Sequence, residues 1–87
     1  MQMKEANAKV DIVKLHTTAR GLERIARNLS ISRETALSYC ISIITDERAD
    51  VVRRGKNLYF TGNDTVVTVN AGSHTIITAH RLKNEKQ

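Results

Sequence analysis

A chain of 87 residues can bury one hydrophobic core, so we expect it to form a single domain. Its apolar fraction of 40% and charged fraction of 26% are typical of a folded protein and argue against intrinsic disorder. The 14 Lys and Arg outnumber the 9 Asp and Glu, and the resulting net charge of +5 favours an anionic partner such as nucleic acid.

The pattern of the sequence changes near residues 46–50. Apolar residues recur at helical spacing before this point, whereas β-branched residues, glycines and asparagines dominate after it. We therefore predict an α+β fold, with two to three N-terminal helices packed on a four-stranded antiparallel β-meander. The domain is expected over residues 10–82, after a flexible segment at 1–9 and before a charged tail at 83–87.

The first half of the chain predicts up to three helices. A short one covers residues 9–16, where two β-branched valines weaken the helical preference. The second begins after an N-cap at Thr17 or Thr18 and runs to about residue 28. Its apolar stripe follows the i, i+3, i+4, i+7 spacing of a helix face and consists of Leu22, Ile25, Ala26 and Leu29.

The third helix is predicted over residues 33–46, with Ser30 or Ser32 as its N-cap. Its predicted buried face consists of Ala36, Leu37, Cys40, Ile41 and Ile44. Cys40 is the one cysteine of the chain, so it cannot form an internal disulfide and cannot by itself make a thiolate zinc site.

The second half predicts four strands, at residues 51–53, 58–61, 65–70 and 74–80. The turns between them are marked by residues that favour turn conformations, namely Gly55, Asn57, Gly62, Asn63, Asn70 and Gly72. The outermost strand at 51–53 leaves homodimerisation by edge pairing open.

The last strand carries polar side chains at alternating positions. Strict alternation places Ile77 and Ala79 on one face, and Ile76, Thr78 and His80 on the other. The polar side chains either line a cleft at the edge of the sheet or belong to a partly solvated face, where threonine is a common strand residue.

Arg20, Arg24 and Arg27 lie at i, i+4 and i+7 on the second helix, beside its apolar stripe. Guanidinium groups in such a row bind phosphates bidentately. The alternative is a solvated face in which Glu23 and Arg27 form an ion pair.

A second group of cations lies on the first hairpin, at Arg53, Arg54 and Lys56. Such a loop cradles a phosphate or is simply a solvated hairpin. The cations that we expect to bind nucleic acid are Arg20, Arg27, Arg53, Arg54, Arg81 and Lys83.

His16 lies at a break between helices, where it either transfers protons or satisfies free helix carbonyls. His74 and His80 lie about 20 Å apart on an extended strand and cannot share a metal ion, so we predict no metal site. We also predict no cofactor. The chain has no Gly-rich nucleotide loop, no Ser-His-Asp pattern and no close carboxylate pair, which argues against metal-dependent phosphoryl chemistry and glycoside hydrolysis.

Four strings of the sequence resemble a small bacterial family, domain of unknown function 3781. They are Lys-Leu-His-Thr-Thr at 14–18, Gly-Leu-Glu-Arg-Ile-Ala-Arg-Asn-Leu at 21–29, Gly-Lys-Asn-Leu-Tyr at 55–59 and Thr-Ile-Ile-Thr-Ala-His at 75–80. The resemblance runs from about residue 10 to 82 and implies no activity. The predicted layout is also similar to that of ribonuclease toxins of the barnase, colicin and RelE type, which is an analogy of fold only.

Our leading hypothesis is a small RNA-acting protein, specifically a metal-independent ribonuclease toxin. In such a reaction the 2′-hydroxyl of the RNA attacks phosphorus, and the protein supplies a base, an acid and cations. His16 and His80 are the predicted acid–base pair, and Tyr59 is a substitute for either.

The other predicted catalytic groups are Lys56 and Arg24, which would stabilise the developing charge, and Thr78, which would position a phosphate oxygen. The hypothesis requires the two histidines, Arg24 and Lys56 to lie within about 10 Å of one another around one cleft.

The alternative is a non-catalytic phage or mobile-element protein, for example an inhibitor of a host nucleoprotein defence complex, that uses the same basic surface. The expected partners are RNA and an acidic protein, either an antitoxin or a host target. The first residues lack the apolar stretch of a secretion signal and no apolar run reaches membrane-spanning length, so we expect a cytoplasmic protein without a membrane partner.

Overall fold

The computed structural model describes residues 10–82, so the predicted flexible segment at 1–9 and the predicted tail at 83–87 lie outside the described residues. A 3₁₀ turn at Ile12–Lys14 precedes helices α1 (Ala19–Leu29) and α2 (Arg33–Ile44). Four strands follow: β1 (Asp50–Arg54), β2 (Asn57–Gly62), β3 (Thr65–Asn70) and β4 (Thr75–Arg81). They form one antiparallel sheet in the order β1-β2-β3-β4, and the α+β architecture is therefore confirmed.

Local side-chain hydrogen bonds set the ends of both helices. The Thr18 hydroxyl accepts from the Gly21 amide at 3.0 Å, and the Ser32 hydroxyl accepts from the Thr35 amide at 3.2 Å. These are N-cap contacts that satisfy otherwise free amides. Ser30 ends α1 in the left-handed conformation, with a φ of 57°. The helix α2 ends at Ile44, two residues before the predicted boundary.

The helix predicted over residues 9–16 is reduced to the 3₁₀ turn at Ile12–Lys14. Asp11 caps this turn, since its carboxylate accepts from the Val13 amide at 3.1 Å. The β-branched residues Val10, before the turn, and Val13, within it, disfavour a longer helix. The structure thus has two α-helices, the lower end of the predicted number.

Both helices pack on one face of the sheet, and the core lies between them and the strands. The predicted residues Leu37 and Ile41 are only partly buried, whereas Ile43, which we had not predicted, is buried. The buried apolar residues are Val10, Leu15, Ile25, Leu29, Ala36, Cys40, Ile43, Ile44, Leu58, Phe60, Val67, Val69, Ile76 and Ala79. No helix within residues 10–82 has the length and apolar character needed to cross a membrane.

A β-bulge in β4 changes which of its residues face the core. Thr78 lies opposite Thr68 but Ile76 lies opposite Val69, so Ile77 is the extra residue. Ile76 and Ala79 are both completely buried, and Ile77 is not. Strict alternation was therefore wrong in grouping Ile76 with Thr78 and His80. The bulge leaves those two polar residues on the opposite face of the sheet.

The edge of β4 is covered by the segment that leads into α1. The backbone of His16 pairs with the start of β4: its amide donates to the His74 carbonyl at 3.2 Å, and its carbonyl accepts from the Ile76 amide at 2.7 Å. Thr17 donates its hydroxyl to the Ile76 carbonyl at 2.8 Å, and Asn28 donates to the Ala79 carbonyl at 3.1 Å. By contrast, no segment within residues 10–82 pairs with the outer edge of β1.

Candidate functional site

The arginines of α1 form one row on its exposed side. Arg20, Arg24 and Arg27 are all exposed, and the described residues give none of them a hydrogen bond or an ion pair. The expected pair between Glu23 and Arg27 does not form, because the Glu23 carboxylate lies 3.6 Å from the Arg33 guanidinium instead. The positive charge of the row is therefore not neutralised by this part of the chain. We call these three residues the arginine row.

The hairpin cations divide between the two faces of the sheet. Arg53 lies opposite Leu58 on the helix side, and its Nε donates to the Gly55 carbonyl at 2.9 Å. Arg54 lies on the other side and has no hydrogen bond within residues 10–82. Gly55 has the positive φ of 60° that the turn requires, and Lys56 is exposed beside it. The hairpin thus does not present its three cations as one cluster.

The face of the sheet opposite the helices carries a shallow groove of about 360 Å³. We call it the sheet groove; it is lined by Val52, Arg54, Tyr59, Val66 and His80. It therefore contains Tyr59 and His80, two of the predicted catalytic residues, together with the predicted phosphate ligand Arg54.

Two threonines lie on the same face as Tyr59. Thr68 is directly opposite Tyr59 in the register of β2 and β3, and Thr78 follows in the same row on β4. Thr68 is only 6% exposed, although helices cover the other face and not this one. Among the described residues no group forms a hydrogen bond with the Thr68 hydroxyl, whereas Thr78 accepts weakly from Asn28 at 3.5 Å.

His16 belongs to a separate group of hydrogen-bonded polar side chains at the beginning of β4. Its Nδ1 lies 2.9 Å from the Lys14 carbonyl, and its Nε2 lies 3.1 Å from the Thr75 hydroxyl. The carbonyl is only an acceptor, so Nδ1 donates in this contact, and Nε2 and the Thr75 hydroxyl share the other hydrogen bond. Thr75 also lies 2.7 Å from the Ser73 hydroxyl. These contacts tie His16 to the β3–β4 connection.

The predicted acid–base pair is not brought together. His16 contacts Thr75 at the first residue of β4, and His80 is the next-to-last residue of that strand. At a strand rise of roughly 3.3 Å per residue, the two rings lie on the order of 15 Å apart. Lys56 lies at the His16 end of the sheet, where its carbonyl accepts from the Ala71 amide at 2.8 Å. Arg24 belongs to α1, on the side of the sheet away from His80.

A polar cluster that sequence reasoning missed joins α2 to the end of β4. The Tyr39 hydroxyl accepts from Asn63 Nδ2 at 2.7 Å and from Arg81 Nη1 at 3.3 Å, and it lies 3.5 Å from the Thr65 hydroxyl. Arg81 also donates to Thr65 at 3.0 Å and lies 5.9 Å from the centre of the Tyr39 ring. Arg81, predicted to bind nucleic acid, is thus engaged in tertiary contacts.

This cluster changes the acidity of Tyr39. The hydrogen bond with Thr65 lowers the pKa of the phenol, burial opposes the effect, and Arg81 and Asn63 lower it further. A single sequence cannot reveal such a cluster, because Tyr39 and Arg81 are far apart in the chain and only the fold joins them.

Next to this cluster lies a cavity of about 400 Å³ between the end of α2 and the β2–β3 turn. Asp46 and Arg48, both on its lining, bind each other at 3.4 Å. The Arg48 amide also donates to Asp46 at 2.9 Å, and these contacts lower the pKa of the carboxyl. The charged groups of this cavity are therefore satisfied internally.

Cys40, predicted on the buried face of α2, lies in the core. Burial raises the pKa of the Cys40 thiol to about 11, so this side chain is a neutral core residue near neutral pH. Residues 10–82 contain no group of three or more His, Cys, Asp and Glu arranged to hold a metal ion. The predicted nucleic-acid ligand Lys83 lies outside the described residues.

Comparison with known proteins identifies the family of the chain. No curated protein and no solved structure matches the chain. A family model matches residues 10–80, which is most of the chain, and its description is "Protein of unknown function (DUF3781)". The match spans every helix of the structure and nearly all of the sheet. The chain belongs to the DUF3781 family.

Proposed function

We propose that this protein binds RNA through the arginine row without cleaving it. The observation that carries the proposal is that Arg20, Arg24 and Arg27 lie side by side, exposed, and have no acidic partner among the described residues. Like charges at this spacing repel one another mildly, and a phosphate bound between them reverses that cost. The overall charge of +5 supports the same class of partner.

The separation of the two histidines supports binding over catalysis. Cleavage by the predicted mechanism needs an acid and a base at the same phosphodiester. Two imidazoles on the order of 15 Å apart, as estimated from the strand rise, cannot both reach the same phosphodiester. The ribonuclease hypothesis stays a prediction, and this separation is the observation against it.

Fluorescence anisotropy with labelled RNA tests the proposal. The substitutions Arg20→Gln and Arg24→Gln, made together, should weaken binding and flatten its dependence on salt. Each lost phosphate contact reduces the slope of log K against log salt by roughly 0.7 for a single strand, so the double variant should lose about 1.4.

A charge-matched control separates this surface from net charge. Arg33→Gln with Arg48→Gln also lowers the charge from +5 to +3, but both arginines already pair with acids of this chain, Glu23 and Asp46. The control should bind RNA nearly as the parent does. Equal losses in the two double variants would show that binding follows total charge, and the arginine row would lose its role. Binding to duplex DNA or to an acidic protein in place of RNA would reassign the partner.

A further inference from the structure

The sheet groove is an open surface whose chemistry suits a planar ring with a negative charge beside it. Its floor is apolar: Val52 is 49% exposed, and Val66 is partly exposed. Tyr59 supplies an aromatic ring, and the cationic Arg54 lies at one end of the groove. A volume of about 360 Å³ lies within the range of small-molecule sites and is of the size of one nucleotide.

Thr68 offers a hydrogen-bonding group beside Tyr59, on the same face of the sheet. Its side chain lies on the groove side of β3 opposite Tyr59, and more than nine-tenths of the residue is buried. No buried side-chain oxygen or nitrogen among the described residues lacks a hydrogen-bond partner, so the Thr68 hydroxyl, which has none, reaches the surface. It can therefore donate to a base edge or accept from one.

We infer that the sheet groove binds one unpaired nucleobase of single-stranded RNA, stacked on Tyr59, with the adjacent phosphate held by Arg54. Proteins recognise single-stranded RNA in this way, by stacking splayed bases on aromatic rings. Tyr59 is the tyrosine or phenylalanine ring available for stacking, since the other two are committed elsewhere: Phe60 is in the core, and Tyr39 binds Arg81.

This inference rests on the proposed RNA binding and adds to it a preference for single strands. The arginine row contacts only the backbone and does not distinguish single-stranded from duplex RNA by base stacking. The sheet groove requires an unstacked base, which a duplex does not present. The two surfaces belong to opposite faces of the sheet, so their contributions can be measured separately.

The test compares an oligouridine RNA with duplex RNA of the same length, by fluorescence anisotropy. Tyr59→Leu removes the ring but keeps an apolar side chain, and Tyr59→Phe keeps the ring. We expect Tyr59→Leu to weaken oligouridine binding about tenfold, the usual size of one base–aromatic contact, and to leave duplex binding unchanged. Tyr59→Phe should bind as the parent does. Equal binding of oligouridine by both variants and the parent would overturn the inference.

A second pair of variants does not touch the floor of the groove. Arg54→Gln should weaken oligouridine binding, whereas Arg53→Gln, its neighbour on the opposite side of β1, should not. Both arginines are exposed, so neither change should affect folding, and this pair decides the matter if Tyr59→Leu does not fold. Equal losses in the two would overturn the assignment of Arg54.

Uridine monophosphate separates this inference from the arginine row. In a Tyr39→Phe background Tyr59 is the only tyrosine, and stacking should quench its fluorescence. Quenching without polymer binding would leave the groove standing and remove the arginine row. Polymer binding that depends on Arg20 and Arg24, without quenching by the nucleotide, would support the arginine row and overturn the inference about the sheet groove. A dimer that Tyr59→Leu converts to a monomer would show that a second copy occupies the groove, and would overturn the inference.

Discussion

Tyr39 shows how a single residue gains its properties from groups remote in the sequence. Its phenol oxygen receives hydrogen bonds from a turn residue, Asn63, and from Arg81 at the end of the last strand. Both donors favour the ionised phenolate over the neutral phenol. The lowered pKa is therefore a property of the fold.

We expect Tyr39 to ionise at a lower pH than free tyrosine in an ultraviolet absorbance titration. Because the pKa is lower in the folded state, this group adds stability as the pH rises through its folded pKa towards the ordinary value of 10.0 and loses that contribution as the pH falls. Arg81→Gln should raise the pKa of Tyr39. Tyr39→Phe should remove the low-pH part of the titration, and an unchanged curve in Arg81→Gln would contradict the assignment.

The elements of this fold begin and end where local chemistry dictates. The N-caps Thr18 and Ser32, the turn glycine Gly55 and the consecutive left-handed residues Asn63 and Asp64 all lie at element boundaries. The bulge in β4 has no such local signal, because it depends on how β4 pairs with β3.

The bulge makes opposite predictions for two adjacent isoleucines. Ile76→Ala should lower the free energy of unfolding by roughly 2–5 kcal/mol, since Ile76 is fully buried and a cavity would remain. Ile77→Ala should cost less than half as much, because Ile77 is the extra, partly exposed residue. Chemical denaturation of both variants measures this. A larger loss of unfolding free energy in Ile77→Ala than in Ile76→Ala would show that Ile77, as strict alternation predicts, is the core residue.

The contact between α1 and β4 depends on the absence of a side chain at Gly21. An added Cβ would lie 2.5 Å from the Thr17 hydroxyl oxygen and 3.3 Å from the carbonyl oxygens of Ile76 and Ile77. We expect Gly21→Ala to destabilise the protein by roughly 1–3 kcal/mol, although alanine favours helices.

A double-mutant cycle identifies the cause of that loss. Made in a Thr17→Ala background, Gly21→Ala should cost less, because the closest of the three oxygens is gone while the two backbone carbonyls remain. An equal loss in both backgrounds, measured by thermal unfolding, would rule out the hydroxyl as the main obstacle.

At the scale of the whole molecule, the folded chain separates groups that the sequence suggested would meet. His16 is tied to Thr75, His80 lines the sheet groove and Arg24 lies on the helix side. Which residues form each strand could be predicted from β-branched residues and turns. Which face and end each side chain occupies depended on strand register and on the bulge, and these are tertiary properties.

This separation predicts that the purified protein leaves RNA intact. Labelled RNA incubated with the parent in EDTA should remain at full length, because acid and base do not reach one phosphodiester. Gel electrophoresis of the RNA measures this, and the RNA without protein is the control. Cleavage that both His16→Ala and His80→Ala abolish would establish the ribonuclease and contradict our reading of the geometry.

The two edges of the sheet are unequal, and this limits how the protein can grow by strand addition. His16, Thr17 and Asn28 occupy the β4 side and already bind the Ile76 amide and the carbonyls of Ile76 and Ala79, so a foreign strand cannot pair regularly along this edge. Only the β1 side is left among residues 10–82. If two molecules joined through their β1 strands, both outer edges of the combined sheet would be covered β4 edges. Assembly by this route therefore stops at a pair and cannot continue into a fibre.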